Sequence, residues 1–267
     1  MTNTVELIET AFEIVNPDGL KIRGVEFVRK DRSGFLPAVI ISHGFTGNMN
    51  ENRSSAAHYA EAGFRVFIFD FCGGGFATIS EGSFEDYMTP MTEKGDLHAV
   101  FSYVKGRADV DSSSIILEGH SQGGFVSALV AAELKEEVKA LILMYPAFCI
   151  PDDARKGAMQ TIRFDPENIP DQIGTPPMRI SGEYAKSVIR MDVYKEITGY
   201  HGRVLILHGT RDSIVPYTYA ERALEAYEQN GNQVALFPIK GSDHGFQGPF
   251  FDEAESHVEA FLRDVIS

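Results

Sequence analysis

Six short apolar runs, rich in β-branched and aromatic residues, constrain this chain more than any other feature. They are Ala38 to Ser42 (AVIIS), Arg65 to Asp70 (RVFIFD), Ser114 to Glu118 (SIILE), Lys139 to Tyr145 (KALILMY), Arg203 to His208 (RVLILH) and Gln233 to Pro238 (QVALFP). Their hydrophobicity is continuous rather than alternating, the pattern of strands buried on both faces with helices on each side. The stretches 52–62, 94–107, 122–135, 216–229 and 252–265 carry apolar residues at helical spacing, for example Val258, Phe261, Leu262 and Val265. Alternation of strand and helix predicts a mostly parallel, doubly wound α/β sheet. Ahead of it, Val5 to Val15 and Leu20 to Val28 alternate more nearly and flank Asn16-Pro17-Asp18-Gly19, so an antiparallel hairpin is expected at one edge.

One interval breaks the rhythm. Almost sixty residues separate the run ending at Tyr145 from the one starting at Arg203, and six of the twelve prolines fall between Pro146 and Pro177. Such a density works against long regular elements, and loops of this length in a compact domain are usually functional. The chain is therefore read as one core, 1–147 and 202–267, with residues 148–201 inserted over the carboxyl ends of the strands, where α/β sheets place ligands.

The chemistry starts at Gly119-His120-Ser121-Gln122-Gly123-Gly124, directly after SIILE and before a helical stretch. A serine on a sharp strand-to-helix turn is strained and exposes its hydroxyl, and the helix amino terminus adds partial positive charge near a developing oxyanion. A serine hydroxyl needs a base, and on this architecture the chain order is serine, acid, histidine. His244, in Gly241-Ser242-Asp243-His244-Gly245-Phe246 after the last strand, is the candidate base. An imidazole ordinarily titrates near about 6.5, so it can take a proton and return it. His58, His98 and His257 fall in helical stretches and are read as structural or solvated. The acid is expected from His208-Gly209-Thr210-Arg211-Asp212, immediately after RVLILH. Asp243 is its rival, but adjacent residues seldom present side chains to one another across a tight loop. The oxyanion donors expected are the N–H of Gln122, after the serine, and that of Phe45 in His43-Gly44-Phe45-Thr46-Gly47-Asn48. Gly73-Gly74-Gly75 lacks the Lys-Ser/Thr of a phosphate loop and the dinucleotide spacing, and is read as a flexible loop near the site. The pairs Asp152-Asp153 and Glu136-Glu137 are read as solvated carboxylates, with no nearby histidine to suggest a metal; neither metal nor cofactor is expected.

Charge and composition narrow the partners. Twenty-four Lys and Arg against 38 Asp and Glu leave −14, which repels phosphate backbones and anionic lipid, so no nucleic-acid or membrane partner is expected. No apolar run reaches the roughly 18 residues that span a bilayer. The amino terminus, Met1 to Glu6, shows no basic start followed by an apolar stretch, so a cytoplasmic location is the default expectation. Cys72 and Cys149 stand 77 residues apart and are read as buried free thiols.

With HGFTGN at 43–48, GHSQGG at 119–124, HGTRDSIVP at 208–216 and GSDHGF at 241–246, the chain resembles the α/β-hydrolase superfamily over essentially its whole length. HGFTGNMNEN, the stretch EGSFEDYMTPMTEKGDLHAV at 81–100 and the size of the insertion are similar to bacterial intracellular cinnamoyl (feruloyl) esterases. That resemblance implies cleavage of hydroxycinnamate esters, with the inserted cap binding the phenolic hydroxyl through polar residues; Asp153, Gln160 and Tyr184 match in position and spacing. Taken on their own, these three also read as a solvated carboxylate, a helix-surface residue and a packing aromatic. Cys72-Gly73-Gly74-Gly75 departs from the Asn-Gly-His-Gly of many relatives, which points to an altered pocket wall. The expected activity is a serine carboxylesterase acting on a small-molecule aromatic acyl ester. An acylglycerol lipase or peptidase-like hydrolase and a non-catalytic ligand-binding protein are the alternatives, and an exposed apolar cap leaves room for a homodimer.

Overall fold

The computed structural model describes residues 5–267; the reading made on Met1 to Thr4 lies outside them. The first two strands, β1 (Leu7–Val15) and β2 (Lys21–Arg29), form the expected antiparallel hairpin. Then follow β3 (Leu36–Ser42), α1 (Arg53–Glu61), β4 (Arg65–Phe69), α2 (Pro90–Lys105), β5 (Val110–His120), α3 (Gln122–Leu134) and β6 (Ala140–Met144). Beyond β6 the chain forms only short elements: α4 (Ile150–Lys156), the two-residue strands β7 (Ala158–Met159), β8 (Ile162–Arg163), β9 (Gln172–Ile173) and β10 (Ile180–Ser181), α5 (Glu183–Val188) and α6 (Val193–Ile197). The sheet resumes with β11 (Arg203–Gly209), α7 (Thr218–Gln229), β12 (Val234–Ile239) and α8 (Pro249–Ile266).

The main sheet has eight strands in the order β1-β2-β4-β3-β5-β6-β11-β12, parallel from β4 to β12, with the hairpin at one edge. Alternate residues of each central strand pack into different cores. Ala38, Ile40, Leu117, Leu141 and Leu143 face α2, α3 and α7, while Val39, Ile41, Ile116, Ile142 and Met144 face α1 and α8. Burial on both faces is why these strands read as unbroken apolar runs. Residues of the short elements, among them Tyr184, Val188 and Ile197, join the first of these cores, so the segment after β6 is packed down rather than draped loosely. Among the described residues no helix is long and apolar enough to cross a membrane.

Candidate active site

Ser121 lies at the junction of β5 and α3 with φ 52° and ψ −114°, a conformation that residues other than glycine rarely adopt. Its backbone is pinned: the N–H donates to the Met144 carbonyl at 2.9 Å, and its carbonyl accepts from Ala147 N–H at 2.9 Å and Phe125 N–H at 3.1 Å. Small size is mandatory at Gly123, where a Cβ would sit 2.4 Å from the His43 carbonyl oxygen and 2.5 Å from that of Ser42. The strained turn is therefore held by its neighbours on three sides, and the hydroxyl is presented at the carboxyl end of the sheet.

His244 arrives from the loop after β12. Its Nε2 is 3.0 Å from Ser121 Oγ and its Nδ1 is 2.8 Å from Asp212 Oδ2. Asp212 follows β11, and its other oxygen accepts from the N–H groups of Ile214 at 2.9 Å and Val215 at 2.8 Å. Burial acts against ionisation here, but hydrogen bonds from His208, His244 and the Val215 amide outweigh it and hold the carboxyl well below the usual carboxylate range. Asp243, the rival acid, points elsewhere: Oδ1 accepts from Ser213 N–H, Ser213 Oγ–H and His244 N–H, each at 2.8 Å, and so ties the histidine loop to the Asp212 loop.

The N–H groups of Phe45 and Gln122 make no hydrogen bond among the described residues, and both residues line the cleft beside Ser121. The Phe45 loop is braced from behind. His43 Nδ1–H donates to the Gly44 carbonyl at 2.8 Å, and its Nε2 accepts from Phe71 N–H at 3.1 Å. Asp70 accepts from Met49 N–H and Ile79 N–H, both at 2.7 Å. The reading of Gly73-Gly74-Gly75 as a flexible loop and altered pocket wall is corrected here. These residues line neither part of the cleft; a Cβ on Gly75 would lie 2.1 Å from the Gly47 carbonyl oxygen, so the glycines let one loop pack directly on the other.

The cleft has two lobes that meet at Phe45, Ser121, Gln160 and Ile214. The first, about 680 Å³, lies under the segment after β6 and is walled by Gln122, Cys149, Ile150, Asp153, Met159, Tyr184 and Val215, among others. The second, about 1160 Å³, lies on the His244 side and includes Glu51, Asn52, His120, Tyr145, Phe246 and Phe251.

The three residues carried over from the resemblance have different surroundings. Asp153, on α4, is half-buried in the wall of the first lobe, so its reading as a solvated carboxylate fails; burial raises its pKa from the ordinary value. Tyr184 lines the same lobe, yet its hydroxyl donates to Gln122 Oε1. Gln160 is exposed at the tip of the β7–β8 hairpin, with φ 49°, and touches both lobes at the rim rather than lying on a helix surface. Sequence reasoning missed the partners of Gln122: its amide donates to Glu93 Oε2 at 2.8 Å, and burial pushes the Glu93 carboxyl well above its ordinary pKa. Cys149 was not anticipated in the lobe wall either, and burial together with Asp153 pushes its thiol up, away from nucleophilic thiolate.

Known proteins share the fold of this chain. Residues 37–170 match a family model described as the alpha/beta hydrolase fold. The chain is similar to Est1E from Butyrivibrio proteoclasticus in its structure with ferulic acid bound, at 31% identity and TM-score 0.86 over 96% of this chain and 99% of that one. It is 26% identical over 245 residues to YfhR of Escherichia coli O157:H7, covering 85% of this chain and 75% of that protein. The Pyrococcus furiosus esterase Pf2001, at 21% identity and TM-score 0.71 over 97% of this chain and 93% of that one, shares the fold.

Proposed function

The chain belongs to the α/β hydrolase family, and from that premise we propose that it is a serine carboxylesterase acting on small aromatic acyl esters of the hydroxycinnamate type. The observation that carries the reading is the continuous contact from Asp212 through His244 to Ser121 at the mouth of a two-lobed cleft. On this reading Ser121 Oγ attacks the ester carbonyl carbon as His244 Nε2 takes its proton. Asp212 fixes the imidazole tautomer and stabilises the imidazolium, while the Phe45 and Gln122 N–H groups hold the oxyanion. Collapse of the tetrahedral species breaks the bond to the alcohol oxygen, which leaves with the proton returned by His244. Water, deprotonated by the same histidine, then releases the acid and restores the serine.

The proton donor also orients the substrate. The departing oxygen must lie against His244, and His244 lines only the second lobe, so the alcohol part belongs there and the acyl part in the first. Residues 148–201 act as a cap on the core of 1–147 and 202–267, supplying Cys149, Ile150, Asp153, Met159, Gln160, Ile162 and Tyr184 to the acyl lobe. The half-buried Asp153 carboxylate is an acceptor suited to a phenolic hydroxyl, and a site built on such a bond discriminates against substrates lacking it. The ferulic acid in the similar Est1E structure supports the same acyl class. Hydrolysis of methyl ferulate in preference to methyl cinnamate is the expected result, with the preference reduced in Asp153→Asn. An unchanged preference in that variant would remove Asp153 from acyl recognition, and failure on both esters would remove the hydroxycinnamate assignment.

A further inference from the structure

The second lobe carries charge of one sign. Its wall holds the Glu51 carboxylate and the imidazoles of His120 and His244, and no Lys or Arg lines it among the described residues. Beneath the wall, fully buried Glu118 has Oε1 2.8 Å from His120 Nε2, and buried Glu255 accepts from Ser55 Oγ–H at 2.9 Å and Tyr59 O–H at 3.1 Å. The second oxygen of each, Glu118 Oε2 and Glu255 Oε2, has no hydrogen-bond partner among the described residues. Even a protonated His120 is matched by Glu118, which leaves Glu51 unbalanced. Glu51 is exposed at the edge of the lobe, so its field reaches a group docked there and is screened by salt.

The rest of the lobe is aromatic and amide. The Tyr145 ring centroid lies 4.9 Å from both His244 and Phe246, and Phe251 completes the apolar wall. Asn52, only 2% exposed, lines the lobe with an Nδ2 that has no acceptor among the described residues. Carboxylate beside aromatic faces favours a cation, an amide donor suits a hydroxyl oxygen, and neither offsets a second negative charge.

We infer that this lobe sorts alcohols by charge: cationic and uncharged alcohols leave readily, and alcohols bearing a carboxylate or phosphate are rejected. The inference rests on the esterase reading and on the assignment of the alcohol to the His244 side. It is tested with ferulate esters of choline, of its uncharged dimethylbutyl isostere and of hydroxybutanoate, with methyl ferulate as the measure of the esterase reading itself. The expected order in kcat/KM is choline at or above the isostere, and the hydroxybutanoate ester roughly tenfold below it at low ionic strength. That gap shrinks as salt is raised to about 0.5 M, a test that needs no variant, and it narrows several-fold in Glu51→Gln. Equal or faster hydrolysis of the anionic ester, or choline below the isostere, overturns the inference while turnover of methyl ferulate leaves the esterase reading standing. Hydrolysis of none of the four overturns both.

Discussion

Replacing Asp212 by Asn separates the acid's electrostatic role from its shape. The Asn carbonyl oxygen can keep the hydrogen bonds from Ile214 and Val215 N–H at 2.9 and 2.8 Å, so the loop after β11 is retained. The amide NH2 then faces His244 Nδ1, now 2.8 Å from a carboxylate oxygen, and two donors cannot share that contact. Nδ1 must become the acceptor, which places the imidazole proton on Nε2, the atom 3.0 Å from Ser121 Oγ that has to accept the serine proton. The same NH2 comes near His208 Nε2, which lies 3.2 Å from Asp212 Oδ2 and whose N–H donates to the Val215 carbonyl at 2.8 Å, so no acceptor is offered from that side either. A histidine locked in the wrong tautomer loses about 10⁴ in kcat, about 5 kcal/mol of transition-state stabilisation. The assay is initial-rate hydrolysis of methyl ferulate and a p-nitrophenyl ester, with circular dichroism to confirm folding. Asp243→Asn is the comparison: its amide oxygen can still accept from Ser213 and His244 N–H, so a loss of less than about tenfold is expected. If the two variants lost the same activity, or if Asp212→Asn lost less than about tenfold, the assignment of the acid would be wrong.

Three further outcomes follow from the same structure. Glu255 is raised from 4.5 to about 7, first by burial and then by the Glu118 charge. Its contribution to stability is therefore complete below 4.5 and lost as pH rises through about 7; urea unfolding at pH 5 and 8 should show about 2.5 kcal/mol of pH dependence in the wild type that Glu255→Gln lacks. Equal pH dependence in both proteins would contradict the shift. Because buried Glu93 accepts from the Gln122 amide, and burial pushes its carboxyl well above the ordinary pKa, Glu93→Ala should cost about 1–3 kcal/mol in unfolding free energy and Glu93→Gln, which keeps an acceptor, much less; equal costs would mean that this hydrogen bond contributes nothing to stability. Tyr184→Phe removes the donor to Gln122 Oε1 and should lower kcat more than it raises KM, by roughly three- to tenfold, since the Gln122 backbone N–H is the proposed oxyanion donor. A change confined to KM would assign Tyr184 to acyl packing alone.

The strands were legible because burial on both faces leaves a local mark, an unbroken run such as RVLILH, and the site elements were legible because each follows directly on such a run. Ser121, His244 and Asp212 each lie on a loop at a strand's carboxyl end, so chain order sufficed to bring them into one expectation. Choosing Asp212 over Asp243 needed only the argument that neighbours along a tight loop diverge, and the structure gives Asp243 a separate task in joining the two loops. Partnerships across the fold left no such mark. Glu93 lies 29 residues from Gln122, and Tyr184 lies 62 away, at separations where no periodicity links them. Gly73-Gly74-Gly75 misled because glycine serves mobility and close packing alike, and only the 2.1 Å approach at Gly75 separates the two. Gln160 misled similarly: two-residue strands such as β7 and β8 are too short to show alternation, so their hairpin was invisible.

The most direct test of the account is acid-quenched mass spectrometry of the protein mixed with excess p-nitrophenyl ferulate. The expected result is a burst of p-nitrophenolate matched by a mass gain of one feruloyl group, located on the peptide that carries Ser121 and absent from Ser121→Ala. Steady hydrolysis by the Ser121→Ala protein, or a feruloyl group carried on any other residue, would contradict it.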